Sequence, residues 1–223
     1  MSTDDTEADL PVLHADATLV AIDKPAGLLA VPGRGPDKAD CASARVQRRW
    51  PDARVVHRLD MDTSGVMVLA RGAAAQSALA RAFAQRRVRK RYVAVVAGVP
   101  LPPDGADGWG DIRLPLAVDW PRRPRSAVTF AHGKPSHTRW RFLGLERWGP
   151  LWATRVELQP ITGRSHQLRV HLAALGHPIL GDPLYADGAA RHAAPRLLLH
   201  AAALTLPHPS DATPLTLASP VPF

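Results

Sequence analysis

At 223 residues the chain is long enough for one sizeable core, and 46% hydrophobic with 22% charged residues is an ordinary globular composition. No apolar run reaches the length of a bilayer span, and the acidic opening MSTDDTEADLP lacks the apolar centre of a secretory signal. The single cysteine, Cys41, excludes a disulfide framework and fits a reducing cytoplasm, while a net charge of +8 points to a polyanionic partner.

Residues 1–15 read as a disordered lead-in and 16–223 as one folded unit. Thr18–Asp23 (TLVAID) has the apolar run of a short buried strand, broken by Lys24-Pro25-Ala26-Gly27. Asp40 can cap a helix that runs to about Trp50, where Pro51 ends it. Gly65–Ala70 is a strand, and Ala74–Arg86 carries Ala78, Leu79, Ala82 and Phe83 at helical spacing. Tyr92–Ala97 is a Val-rich strand. The Pro/Gly/Asp loop Pro100–Gly110 is the candidate boundary between two lobes, although both flanks read as globular and neither half as self-sufficient. Strands follow at Thr138–Gly144 and Trp152–Gln159. Ser165–Leu175 repeats Leu168, Leu172 and Leu175 on one helical face, with Gly176 as its stop. Leu197–Leu206 is a late strand. The order is mixed, with no regular strand–helix alternation and no internal repeat, so the fold class is α+β.

The richest stretch is Val55–Arg71, VVHRLDMDTSGVMVLAR. A polar turn delivers Asp60 next to Arg58 at the lip of a buried strand, a common place for catalytic side chains. Asp60 and Asp62 also admit a divalent-cation DxD reading, but nothing nearby supplies further carboxylates. An aspartyl-phosphate nucleophile would follow a hydrophobic run, whereas His57-Arg58 precede Asp60. An aspartic-protease turn would need a second copy. Asp62 fits an Asx turn entering the strand.

Ten histidines raise a metal site, but His166 and His171 lie five apart and would not share a helix face as an HExxH pair does. The reading is therefore no metal. Arg86–Arg91 puts five cations in six residues before Tyr92, either a solvated helix end or a phosphate track leading to an aromatic platform. Pro121–Arg125 (PRRPR) is a second basic loop. Of the 28 basic residues 24 are Arg, so biased usage contributes to the charge as well. In Pro160–His171 (PITGRSHQLRVH), Arg164 follows a Thr-Gly turn. A carboxylate buried in a base-binding pocket wants an adjacent guanidinium, which lowers a carboxyl pKa by about 1–3 units. Arg164 reads either as a phosphate-binding or surface-paired arginine or, on the sharper reading, as the partner of Asp60.

Five segments, DKPAGL at Asp23–Leu28, VHRLDMDTSGVMVLA at Val56–Ala70, KRYVAVVAG at Lys90–Gly98, ITGRSHQLRVHLAALGHPILGDPLY at Ile161–Tyr185 and RLLLHA at Arg196–Ala201, together resemble the RluA family of pseudouridine synthases. The resemblance spans about Asp16 to Pro220. It implies a mixed, largely antiparallel sheet crossed by an RNA cleft, without the S4-type domain of many relatives. It also implies a cofactor-free, usually monomeric enzyme that isomerises uridine to pseudouridine. By this resemblance Asp60 is the nucleophile, Arg58 the side chain inserted near the flipped uridine, Tyr92 the ring stacked on uracil, and Arg164 the partner of Asp60. His57 and Leu198 are further candidates for substrate binding and the pocket wall. The VPGRG and DWPRRP segments resemble the short subgroup that acts on a large-subunit (23S) rRNA hairpin loop and the tRNA anticodon loop. A non-catalytic RNA-binding or ribosome-assembly factor on the same scaffold is the alternative.

Overall fold

The computed structural model of the chain describes residues 10–103 and 105–223. Residues 1–9 of the expected lead-in lie outside the described residues. Its last four, Val12–Ala15, are instead strand β1, which pairs with β2 (Leu19–Lys24). Among the described residues a ten-stranded mixed sheet runs in the order β1-β2-β4-β11-β5-β10-β9-β6, with β3 added to β4 and β12 to β11. These strands are β3 (Ala53–Val55), β4 (Ser64–Arg71), β5 (Arg89–Ala97), β6 (Gly110–Ile112), β9 (Thr138–Trp148), β10 (Leu151–Pro160), β11 (Leu199–Pro207) and β12 (Pro214–Ala218). A separate hairpin joins β7 (Leu116–Val118) to β8 (Ser126–Val128). With helices few and short, the fold is α+β.

Among the described residues all the strand pairings are antiparallel but one. At the centre, β11 runs parallel to β4, with His200 opposite Ser64 and Ala201 opposite Gly65. Gly65 permits this contact: its φ is 111°, and an added Cβ would lie 2.3 Å from the carbonyl oxygen of Ala201. Both the backbone angle and the close approach demand glycine. Beneath the junction, Ser64 and His200 are tied by a 2.8 Å hydrogen bond, and Ser219 donates to Asp23 at 2.8 Å.

Helix α1 (Ala42–Arg49) is capped by Cys41, whose sulfur accepts the Ala44 amide at 3.4 Å, and not by Asp40, which binds Arg45. Helix α2 (Gly72–Ala84) lays Ala75, Leu79 and Ala82 on the sheet. Helix α3 (Gln167–Ala174) is short and nearly all buried; Leu175 ends it and Gly176, at φ 83°, lets the chain leave. A five-residue helix, α4 (Gly188–His192), precedes β11. The core forms three clusters, and Tyr92 packs against two of them. Where they meet, a pocket opens.

Candidate active site

The pocket holds about 590 Å³ and is walled by the loop before β4, the start of β5, the end of β10 and the start of α3. Asp60 lies on the first of these, in a turn closed by the Thr63 amide donating to the Asp60 carbonyl at 3.1 Å. Its side chain is 28% exposed. Lys24 holds this turn from behind. Fully buried, its ammonium donates to the carbonyls of Pro25 and Leu28, each at 2.8 Å, and of Met61 at 3.0 Å. Burial pulls the Lys24 pKa down to about 8, against the opposing charges of Asp62 and Asp60. The lysine thus fastens the residue after Asp60 to the end of β2.

The cation beside Asp60 is Arg169, not Arg164. Nη1 of Arg169 is 3.8 Å from Oδ2 of Asp60, and Nε2 of His166 is 4.0 Å from Oδ1. Arg164 is exposed at the pocket rim, and its guanidinium makes a 3.5 Å contact to the Pro135 carbonyl. Helix phase explains the difference. Arg164 precedes α3 in the loop, whereas Arg169 sits inside the helix with its buried face towards Asp60. There Nε and Nη2 form a fork with Asp182 at 2.8 and 2.6 Å, which leaves Nη1 to project to Asp60. Burial opposes the charge of Arg169, but the Asp182 bonds and the Asp60 charge outweigh it and raise its pKa. Asp182 also accepts the amides of Leu184 and Tyr185, so the guanidinium has a fixed base to stand on.

His166 enters α3 with φ 55°, a left-handed conformation that swings its ring over the pocket. The Tyr185 hydroxyl, which accepts the Ser126 amide at 2.7 Å, lies 2.7 Å from His166 Nδ1. We assign the phenol proton to this second bond, which leaves an Nε2–H facing Asp60. Burial lowers the His166 pKa, against the pull of Asp60, so the ring is held towards its neutral form. Through Ser126 and Tyr185 the β7–β8 hairpin, which carries PRRPR, is joined to the corner that holds His166 and Asp60. Arg125 packs over the Tyr185 ring at 5.3 Å.

Tyr92 lines the pocket opposite, partly buried, with its phenol pKa raised by burial and then by the Asp60 charge. The strand period of two splits the basic run: Lys90 and Tyr92 face the pocket, while Arg89 and Arg91 are exposed on the other side. The same alternation corrects the expected wall. Leu198 is buried in the core at 2% exposure, and its neighbour Leu199 lines the pocket. Arg58 is exposed at the mouth. His57 lines the pocket too, but its Nε2 accepts the Val68 amide at 3.0 Å and its ring stacks on Phe83 at 4.8 Å. Burial and the nearby Lys90 lower its pKa to about 4. His57 therefore braces the loop, with no free polar atom on Nε2 for substrate. His171 is no partner of His166: its two nitrogens are bound to Thr138 and the Leu114 carbonyl. Sequence reasoning missed Lys24, His166, Arg169 and Tyr185. All four lie in the motifs it quoted, but only burial distinguishes them.

The pocket thus sets one carboxylate, Asp60, among the cations Arg58, Arg86, Lys90, Arg164 and Arg169. A groove of that sign suits a phosphodiester chain, with a single anionic group at its floor. The profile of the family described as RNA pseudouridylate synthase matches residues 18–174. The chain belongs to this family. The synthase is 47% identical to "Dual-specificity RNA pseudouridine synthase RluA" of Escherichia coli strain K12, over 96% of this chain and 94% of the relative. It is 44% identical to the protein of that name in Pasteurella multocida, over 99% and 97%. Its fold matches the solved structure of human RNA Pseudouridylate Synthase Domain Containing 1 with a TM-score of 0.79, at 28% identity over all of this chain and 87% of that one. Domain Containing 4 gives 0.72 at 28% identity, over 95% and 88%. The synthase is accordingly an RluA-type enzyme that isomerises uridine in RNA. No helix among the described residues is long and apolar enough to cross a membrane.

Proposed function

We propose that the synthase converts a loop uridine of structured RNA, in a large-subunit rRNA hairpin and in a tRNA anticodon loop, and that Asp60 is its nucleophile. The observation that carries this reading is the isolation of Asp60 as the carboxylate at the floor of a cation-lined pocket. The relatives' name supports two specificities, and the choice of these two RNAs rests on the resemblance of the VPGRG and DWPRRP segments to the short subgroup.

In the reaction the C1′–N1 bond breaks, the uracil turns within the pocket, and C1′ joins C5. C5 gives up its proton and N1 gains one, so no redox partner or energy source enters the balance. Asp60 acts at the ribose, by adding to C1′ or by removing a ribose proton. Arg169, 3.8 Å from one carboxylate oxygen, orients the side chain, and His166 presents its neutral ring 4.0 Å from the other. The target base leaves its stack at a cost of a few kcal/mol, and stacking on Tyr92 returns about 1–3 kcal/mol. Loop uridines, already partly unstacked, are the cheaper substrates. Arg58, Arg86, Lys90 and Arg164 track the phosphates at the rim.

The test mixes purified protein with a tRNA anticodon stem-loop and an rRNA hairpin in EDTA and maps pseudouridine by carbodiimide-blocked primer extension. The expected outcome is a stop at a loop uridine in each RNA that vanishes with Asp60→Asn. Stops that persist in that variant would remove Asp60 from the chemistry. A stop in one RNA alone would leave the reaction standing and reduce the specificity to single.

A further inference from the structure

We propose that His14, Asp16 and His208 form a binding site for a divalent metal ion of the zinc class, outside the pocket. This inference is independent of the RNA target. Asp16 stands in the turn before β2, at the end opposite Lys24 and the Asp60 turn, so the cluster is separated from the pocket by the length of that strand. His14 comes from β1 and His208 from just beyond β11, about 190 residues later in the chain.

The three side chains converge on one point. Nε2 of His14 is 2.6 Å and Nε2 of His208 is 2.9 Å from the same oxygen, Oδ2 of Asp16. All three ligand atoms lie within 4.8 Å of one another. The other carboxylate oxygen is already saturated: Oδ1 accepts the Thr18 amide at 2.6 Å, the Thr18 hydroxyl at 2.8 Å and the Leu19 amide at 3.0 Å. The backbone thus fixes the carboxylate and presents Oδ2 alone.

A hydrogen-bonded clamp could divide two imidazoles between two carboxylate oxygens. Here both rings aim at one, so two N–H groups crowd a single acceptor. A cation in place of those two protons relieves the crowding. Zinc bonds of about 2.0–2.2 Å put neighbouring ligand atoms about 3.4 Å apart, so each ring need withdraw by less than about 1 Å. The outer contacts suit a ligand too: Nδ1 of His208 is 2.8 Å from the Ser210 hydroxyl and 3.7 Å from the Asp211 carboxylate, partners that steady a metal-bound ring. Two imidazole nitrogens and one carboxylate oxygen select zinc, cobalt or nickel over calcium and magnesium, which prefer all-oxygen shells. Side-chain exposures of 33%, 29% and 18% for His14, Asp16 and His208 leave a way in and room for a water as fourth ligand. Arg71 donates to the Asp16 carbonyl at 2.9 Å, a cation that tempers the affinity of the cluster. Bound metal would staple β1 to the β11–β12 hairpin.

The test titrates zinc chloride into the EDTA-stripped, dialysed full chain by calorimetry, with thermal melts alongside. Wild type is expected to bind one equivalent at micromolar Kd, and its Tm to rise by about 5–10 °C at a hundredfold excess over Kd. His14→Gln and His208→Gln keep a donor for Asp16 but remove the zinc ligand. Each should weaken binding at least tenfold and abolish the Tm rise while melting like wild type in EDTA. No binding by wild type at 100-fold above the micromolar range would reduce the cluster to a hydrogen-bonded clamp. Undiminished binding in both variants would place the metal on other histidines. Either result overturns the proposal.

Discussion

Arg169 serves two carboxylates at once, and that decides which arginine matters. Its fork on Asp182 is buried on both sides, at 2% and 0% exposure, and only its third nitrogen reaches Asp60. A lysine has a point charge and cannot span both. Arg169→Lys should therefore cut kcat by about 100-fold, in the range seen when a positioning contact is lost. It should also cost about 3 kcal/mol of stability through the stranded Asp182, read in urea melts. Arg164→Ala should raise KM several-fold and leave kcat close to wild type. A larger kcat loss at Arg164 than at Arg169 would reverse the assignment. At Tyr92 the same kind of comparison isolates the stacking face: Tyr92→Phe should stay within a few-fold of wild type and Tyr92→Ala should fall severely. Equal turnover in the two variants would argue against stacking.

Strand β4 shows how an element, and no single side chain, sets the site. Its first residues face three neighbours: β2 on one edge, β11 in parallel on the other, and the Asp60 turn at its head. Gly65 is the pivot. Gly65→Ala would press a methyl group onto the Ala201 backbone at an unfavourable φ, and we expect a loss of about 3 kcal/mol by chemical denaturation. The Lys24 knot acts on the same element from β2. Lys24→Met would strand three carbonyls and free Met61, so kcat should drop well before RNA affinity does, a split that filter binding and single-turnover rates resolve. Comparable losses in both would mean that Lys24 supports the whole pocket and not the Asp60 turn in particular.

Across the whole molecule, several histidines are held neutral by burial. His57, His166, His171 and His200 all have lowered pKa values. Each binds a proton more readily when unfolded, so their contribution to stability is complete above the unfolded value of about 6.5 and is lost as pH falls. For His57 the loss runs from about 6.5 down to about 4. Urea midpoints should fall steadily across that window. His57→Gln, which keeps an acceptor for the Val68 amide, should flatten part of the slope. An unchanged slope would mean that His57 is not the buried neutral group described.

Local chemistry made much of the protein legible. The HRLD turn, the apolar β4 behind it, the Leu stripe of α3 and the family motifs depend on neighbours in the chain or on a repeat of 2 or 3.6 residues. These are properties a sequence carries by itself, and they located Asp60, Tyr92 and the α+β class. Short strands such as β6, β7 and β8, with three residues each, offer too few positions for a period to show. The choice of Arg169 over Arg164 depended on helix phase and on a buried Asp182 thirteen residues away. Leu199 replaced Leu198 at the wall because adjacent strand residues face opposite sides. Only tertiary structure brought His208 to His14 and Asp16, since contacts between distant segments depend on how the whole sheet closes and leave no periodic trace in the chain.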